Sequence, residues 1–380
     1  MKLLALITTV ASLATQAAAW GQDGHKIVAT IAQVHLHPTA KQALCKILPP
    51  EAKCHLAPVA AWADQVRGRH PETGPMHYIN PRLDKPGEMC TFGEDGWIND
   101  KVNVVTAIHE KTKRLLNGTF GREDDETLRY LIHFMGDIHQ PLHLTGYLRG
   151  GNDAWVNFYG RRQKLHSVWD SSILLRKIAS LGNYTSSTGN RQLESALRGD
   201  IYDPYVRFIV KEGVWGWWKE SSKGWFQCPE EGEHFPTNDE VGVQVEGDAG
   251  IWQQVGQVVI TALPTAWGNA LINNGLVRAP TPPEYSSPSA LTSSNLDGWL
   301  PACPYTWGKA LHPYNCRYAW PKNYHPGIEL DDGEYFEKIT NDKVFEQLLG
   351  RAGIRLAAVL NAIYAEGEVS RSGGAWFAEH

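Results

Sequence analysis

A mainly α-helical single domain, with a small β-hairpin and long disulfide-tied loops, is the fold this sequence predicts. Three observations lead there. Apolar residues recur every three or four positions through five separate stretches. Only one short run alternates as a strand does. The 380 residues are 42% hydrophobic and 20% charged, which excludes a disordered polymer and a collagen.

The five helical stretches are 25–34, 39–48, 100–116, 125–138 and 345–364. Asp124 and Asp125 open the fourth, placing acidic groups at the positive end of its dipole. The alternating run Ala154-Trp155-Val156-Asn157-Phe158-Tyr159, followed by Gly160, reads as one arm of a hairpin. Residues 230–248 and 280–298 turn to Gly, Pro, Ser and acidic side chains and read as long surface loops. No internal repeat and no block of like charge interrupts the pattern.

Residues 1–19 stand apart from the fold. Lys2 is a short basic start, 3–11 is apolar, and Ala17-Ala18-Ala19 fits a small-residue cleavage site. The apolar run is shorter than the about 20 residues a membrane span needs, and no later stretch reaches that length. The expectation is a secretory signal peptide over 1–19, with Trp20 as the mature N-terminus and 20–380 as one domain. Loss of Lys2 takes the formal charge of −5 to −6 over 361 residues. A broad Lys/Arg surface for nucleic acid is therefore excluded, and positive charge for any bound phosphate must come from elsewhere.

Secretion permits disulfides, and Cys45, Cys54, Cys90, Cys228, Cys303 and Cys316 form an even set. Spacing alone leaves many pairings open. No Cys-x-x-Cys occurs, which weakens a cysteine–zinc reading. Asn117-Gly-Thr and Asn183-Tyr-Thr are glycosylation acceptors of a kind that matters in a secreted chain.

The histidines carry the chemistry. His133 and Asp137 are four residues apart in one predicted helix, so one turn brings both side chains to the same side. Pro141 ends that helix and lets His143 turn back toward it. His166 and Asp170 repeat the four-residue spacing. Imidazole nitrogen with carboxylate oxygen is a zinc-type ligand set. A lone His–Asp pair is more often an ordinary hydrogen bond, but two pairs plus His143 in about forty residues favour metal. Asp64 in Trp-Ala-Asp and His77 in Met-His-Tyr-Ile-Asn are further candidates. A freed α-amine at Trp20, with a reference pKa near ~7.7–8.0, can chelate an ion together with its own carbonyl, and His25 follows at the next helix start.

These residues resemble the secreted, zinc-dependent, single-strand-specific nucleases of fungi and plants, the S-one/P-one nuclease family, which share the phospholipase C/nuclease fold with bacterial zinc phospholipases C. Five motifs carry the resemblance in order: Trp20-Gly-x-x-Gly-His25, Trp62-Ala-Asp64, His133-Phe-x-Gly-Asp137-x-x-Gln-Pro-Leu-His143, Gly150-Gly-Asn152 and Leu165-His-Ser-x-Trp-Asp170. It runs from Trp20 to the helix containing Gly353 to Asn361 and is weakest over an insert at about 211–301.

Carried across, the resemblance implies three Zn2+ in one domain over 20–380. One is expected on Asp64, His77, His133 and Asp137. A second takes His143, His166 and Asp170, and the third takes Trp20, His25 and the other oxygen of Asp137. Three dications against three aspartates leave a net +3 at the site, so an acidic chain still attracts phosphate. The implied activity is hydrolysis of single-stranded DNA and RNA to 5′-phosphate products by a metal-activated hydroxide, with 3′-nucleotidase action. The implied partners are those nucleic acids and 3′-nucleotides, with no membrane and a monomeric enzyme. Asp64 and Asp137 belong to the catalytic set. Arg67 stands where some fungal members have Lys and is expected to share transition-state charge.

Tyr78 and Asn80 stand where several relatives have Phe and Asp. They are expected to stack on and hydrogen-bond an unpaired base. Asn152 is expected to contact nucleotide or the attacking water. His139 is not a family ligand and is expected at the helix surface or behind the ligands. The Trp-rich run Val214-Trp-Gly-Trp-Trp-Lys, with Trp225 nearby, reads as helical core rather than a second stacking platform. The resemblance implies a Cys90–Cys316 disulfide, and the other four cysteines are expected as Cys45–Cys54 and Cys228–Cys303. A zinc phospholipase C and an idle zinc- or nucleotide-binding protein are the competing functions.

Overall fold

The computed structural model describes residues 20–228, 291, 296–297, 301–331 and 333–365. The expected signal peptide, nearly all of both expected long loops and most of the insert lie outside them. Contacts divide the chain into one unit of Met1–Glu231 with Leu291–His380 and another of Gly232–Ala290. The second unit falls outside the described residues, and the helical core and the histidine cluster belong to the first.

The fold is mainly helical, with one small three-stranded sheet. Helix α1 (Gln22–Val34) lies against the long helix Val344–Tyr364, whose residues are almost all buried. Side chains fix the long helix at both ends. Asn361, itself fully buried, accepts from His37 N at 2.8 Å and donates to the carbonyl of His35 at 3.0 Å. Lys177 donates to Glu346 at 2.8 Å and Tyr205 donates to the same carboxylate at 2.9 Å, so a buried charge is both paired and hydrogen-bonded. Trp20 is wholly buried, edge-on to Phe345 at 5.3 Å, and Trp169 covers Phe345 from 5.1 Å. Each large aromatic so buried contributes roughly 1.5–3 kcal/mol.

Helix α2 (Pro38–Ile47) starts where Pro38 fixes φ and the His37 ring accepts from Thr39 N. The short helix α3 (Trp62–Val66) leads into a 3₁₀ turn, Pro71–His77. Helix α4 spans Val104–Leu116 and begins later than the expected residue 100. Asn103 accepts from Thr106 N while its own N–H donates to Thr106 Oγ1, and this reciprocal cap sets the first turn. Helix α5 spans Asp125–Asp137. Asp124 sits in the turn before it, its carboxylate accepting from Thr119 N and Phe120 N.

Strand β1 (Trp155–Phe158) pairs antiparallel with β2 (Arg161–Lys164), forming the expected hairpin, with Trp155 opposite Lys164. An unforeseen third strand, β3 (Ile328–Glu329), pairs parallel with β1. Disulfides join Cys45–Cys54, Cys90–Cys316 and Cys228–Cys303. Val214, Trp218 and Trp225 pack on Ile354 of the long helix, as core, whereas Trp217 is half exposed. No helix among the described residues is long and apolar enough to cross a membrane.

Candidate metal centre

Six separate elements converge on one cluster of imidazoles and carboxylates. The start of α1 brings His25, α3 brings Asp64, and the end of the following 3₁₀ turn brings His77. The last turn of α5 carries His133 and Asp137 on one side. The 3₁₀ turn Pro141–Leu144 then reverses the chain and presents His143. His166 and Asp170 come from a helical run starting at Leu165, which widens to a π-helical stretch over Val168–Ser172. Such bulges recur at functional sites because they rotate a side chain out of the regular helix register.

Asp137 sits at the centre. Its Oδ1 is 3.4 Å from His25 Nε2, and its Oδ2 is 3.4 Å from His133 Nε2 and 3.0 Å from His77 Nδ1. Asp64 closes the same side, with Oδ2 3.6 Å from His133 Nε2 and Oδ1 3.7 Å from His77 Nδ1. A second group forms from His143, His166 and Asp170, with His166 Nε2 3.2 Å from Asp170 Oδ2. His25, His133 and His77 make one stack and edge, their rings 3.8 Å and 4.9 Å apart.

Backbone carbonyls fix three tautomers. The Nδ1–H of His133 donates to Ala60 O at 2.8 Å, that of His143 to His77 O at 2.5 Å, and that of His166 to Gly150 O at 2.5 Å. Each Nε2 is thereby left with a lone pair facing inward. The His143 and His166 Nε2 atoms face one another at 3.2 Å, lone pair against lone pair. Burial holds His133 down to about 4, His143 to about 3 and His166 to about 4, so all three are neutral near pH 7. Burial alone pushes the Asp137 carboxyl up, but His133, His25 and His77 outweigh it and hold it well below the usual range. Burial drives Asp170 well above its ordinary value, against the Gln140 amide that donates to Oδ1 at 2.7 Å.

This arrangement fits bound cations. His25 Nε2, His77 Nε2, His133 Nε2, Asp64 Oδ1, Asp137 Oδ1 and Asp170 Oδ2 are buried and make no hydrogen bond. Buried polar atoms without partners are costly. Opposed lone pairs and clustered carboxylates become favourable once dications lie among them. A donor set of imidazole nitrogens and carboxylate oxygens suits zinc. Asp84 and His312 form another buried pair at 3.1 Å near Cys90. Because the Cys90 sulfur is bonded to Cys316, that group has no thiolate to offer a metal.

Two glycines make room. A Cβ on Gly136 would lie 2.6 Å from His25 Nδ1, so only glycine lets that ring sit against α5. Gly150 adopts φ +60°, and a Cβ there would meet Leu142 O at 2.5 Å. The carbonyl that orients His166 therefore depends on a residue with no side chain.

A cleft of about 220 Å³ opens beside His143 and His166, lined also by Arg67, Tyr78, Asn80, Arg149 and Asn152. Arg67 Nη1 is 4.0 Å from Asp64 Oδ1. The backbones of Tyr78 and Asn80 are tied down: Asn99 donates to Tyr78 O at 3.1 Å and accepts from Asn80 N at 2.9 Å. Trp20, His25, Asp137 and His133 are buried deeper, Asp64 is partly exposed, and Trp20 packs its ring away into the core.

His139 corrects one expectation. It is fully buried, not at the helix surface, donating Nδ1–H to Met135 O at 2.8 Å and accepting from Arg355 Nη1 at 2.8 Å. Burial and the Arg355 charge hold it well below the usual histidine range, so it is a neutral acceptor for a buried guanidinium. Sequence reasoning also missed Gln140 and Arg149. Gln140 lies inside the motif that runs from His133 to His143, whereas nothing local marks Arg149 or the carbonyls of Ala60, His77 and Gly150.

A family model described as S1/P1 Nuclease matches residues 20–237. Endonuclease 2 of Arabidopsis thaliana is 33% identical over 221 residues, 55% of this chain and 69% of that protein. Endonuclease 4 of the same plant is 26% identical over 373 residues, covering 95% and 94%. Nuclease P1 of Penicillium citrinum is 34% identical over 155 residues, 40% of this chain and 57% of that protein.

Proposed function

The chain belongs to the S1/P1 nuclease family, and from that premise we propose that it is a secreted, zinc-dependent endonuclease acting on single-stranded DNA and RNA, releasing 5′-phosphate products and also hydrolysing 3′-nucleotides. The observation that carries this reading is the facing pair of His143 and His166 Nε2 lone pairs, 3.2 Å apart at the wall of the cleft. A cation between the two nitrogens relieves that juxtaposition beside a space open to substrate.

Asp64, His77, His133 and Asp137 would hold one zinc, His143, His166 and Asp170 a second, and His25 with Asp137 and the Trp20 amine and carbonyl a third. Bound zinc supplies an acidified water and fixed positive charge for a phosphodiester at neutral pH. The rest falls to the chain. Asp137, whose carboxyl is held well below its usual range by the surrounding histidines, anchors that positive charge deep in the site, and Asp64 adds a second carboxylate on the same side. Gln140 holds Asp170 in one rotamer by donating to Oδ1 while its own oxygen accepts from Leu142 N at 2.7 Å. Arg67, at the cleft wall and still within reach of Asp64, is placed to bind a non-bridging phosphate oxygen.

Tyr78 is half-buried and lines the cleft, offering a ring to a base, and Asn80 offers both a donor and an acceptor edge. A duplex keeps its base faces stacked and cannot use that ring, which favours unpaired strands. Asn152 hydrogen-bonds Arg149 O at 3.0 Å through Nδ2, leaving its oxygen for a water or sugar hydroxyl. Three disulfides and the exposed sequon residues Asn117 and Asn183 support a secreted chain.

Metal analysis of the purified protein, together with phosphate release from single-stranded DNA, a 3′-nucleotide and phosphatidylcholine, tests the reading. Zinc with cleavage of the first two is expected. Cleavage of phosphatidylcholine alone would make the protein a phospholipase C. Bound zinc with no release from any of the three would make it an idle binder.

A further inference from the structure

Outside the cleft, the hairpin has one buried and one open face. Val156 and Phe158 of β1 are buried. On the opposite face, Trp155 is 40% exposed although it is among the largest apolar side chains. Two cations lie against its ring: the Arg162 guanidinium at 5.1 Å and Lys164 Nζ at 5.9 Å from the centroid. The register explains the grouping, since Lys164 is directly opposite Trp155 and Arg162 is two residues along β2 on the same face. The residue before β3 ties down the backbone at this position, Gly327 N donating to Trp155 O at 2.8 Å.

The patch continues from the cleft. Asn152, a cleft residue, precedes Trp155 by three positions, at most about 10 Å of chain. Arg149 lines the cleft with a side chain 75% exposed, its Nη1 donating to Asp153 at 3.1 Å. Between 149 and 164 there are four basic residues, Arg149, Arg161, Arg162 and Lys164, against the single acid Asp153. In an acidic chain that is a local reversal of charge.

We propose that Trp155, Arg162 and Lys164 form an outer nucleotide subsite for single-stranded nucleic acid, roughly two to three nucleotides from the cleft. One base of the strand stacks on the indole, and its flanking phosphates meet the two cations. The inference rests on the nuclease reading for its ligand, and it makes the enzyme prefer strands over the smallest substrates.

The test compares the zinc-loaded full chain with Trp155→Ala and Trp155→Tyr on a thymidine dinucleotide and on a strand of about 12 thymidines. Trp155→Ala should raise KM for the longer strand roughly 5- to 100-fold, the range expected for one lost stack. The dinucleotide should be turned over within about two-fold of the parent, and Trp155→Tyr should restore most of the long-strand KM. Arg162→Gln should flatten the salt dependence of long-strand binding by about 0.7 in the log–log slope. An equal effect on both substrates, or no effect on either, overturns the subsite. If the unaltered chain cleaves neither, the nuclease reading fails separately. Fluorescence anisotropy of the same two labelled ligands then decides: a Trp155-dependent preference for the longer strand upholds the subsite, and its absence removes it.

Discussion

Asp137 and His25 meet through a single carboxylate oxygen, Oδ1 to Nε2 at 3.4 Å, while the other oxygen of Asp137 faces His77 and His133. One side chain thus serves two groups of imidazoles. Asp137→Asn converts one of those oxygens into a donor with no lone pair for a cation. The expected result is a protein that keeps its helical circular dichroism but loses most of its zinc and at least about 1,000-fold of its turnover. Elemental analysis giving the parental zinc content would show that Asp137 is not the shared ligand.

Gly136 sets two effects against each other. Alanine is favoured over glycine inside a helix by about 1 kcal/mol. Its Cβ, however, would stand 2.6 Å from His25 Nδ1 and displace that ring. Because overpacking a buried site costs about 1–3 kcal/mol against that gain, Gly136→Ala should leave the melting temperature of chelator-treated protein unchanged or somewhat lowered, yet lower activity by at least about ten-fold. Parental activity would mean that the His25 ring moves freely without consequence.

Gln140 is not among the expected ligands; its amide donates to Asp170 Oδ1 at 2.7 Å while its oxygen accepts from Leu142 N at the start of the turn that carries His143. Removing such an outer partner typically weakens metal affinity about 10- to 100-fold. Gln140→Leu keeps the volume and loses the donor. Titration with a competing chelator should show zinc released at correspondingly lower chelator concentration, with the other sites retained. A superimposable titration would leave Gln140 a packing residue.

Most of this site was legible in the sequence because its logic is local. His133 with Asp137 and His166 with Asp170 are one helical turn apart, and a turn of helix is what spacing reports. What spacing could not report is contact across the chain. The pairing of β3 with β1 joins residues more than 170 positions apart and rests on two residues, too few to alternate visibly. His139 read as helix surface or as lying behind the ligands, because its partner Arg355 comes from the far end of the chain. Helix α4 began late because Asn103 and Thr106 prefer to cap each other, a side-chain competition that apolar periodicity ignores. The carbonyls that orient His133, His143 and His166 come from the backbone, where residue identity carries almost no signal.

His35 gives a pH dependence that is independent of metal. It is fully buried at the end of α1, donating Nδ1–H to Ile31 O at 2.9 Å. Burial lowers its pKa from 6.5 to about 4, with the Ile31 bond opposing and the Lys41 charge assisting. Above pH 6.5 the ring is neutral in both folded and unfolded chains, and the contribution to stability is complete. As pH falls from 6.5 toward 4, the unfolded chain binds a proton that the folded chain refuses, so stability declines. A displacement of this size is worth on the order of 3 kcal/mol for a group with no solvent access. Below about 4 the folded state takes the proton too and the slope ends. The other buried histidines titrate alongside, so the measurement is a difference. Urea unfolding of chelator-treated parent and His35→Gln should diverge in slope against pH between about 6.5 and 4 and run parallel above 7. Parallel curves across the whole range would place the His35 proton in solvent contact and remove it from the acid response.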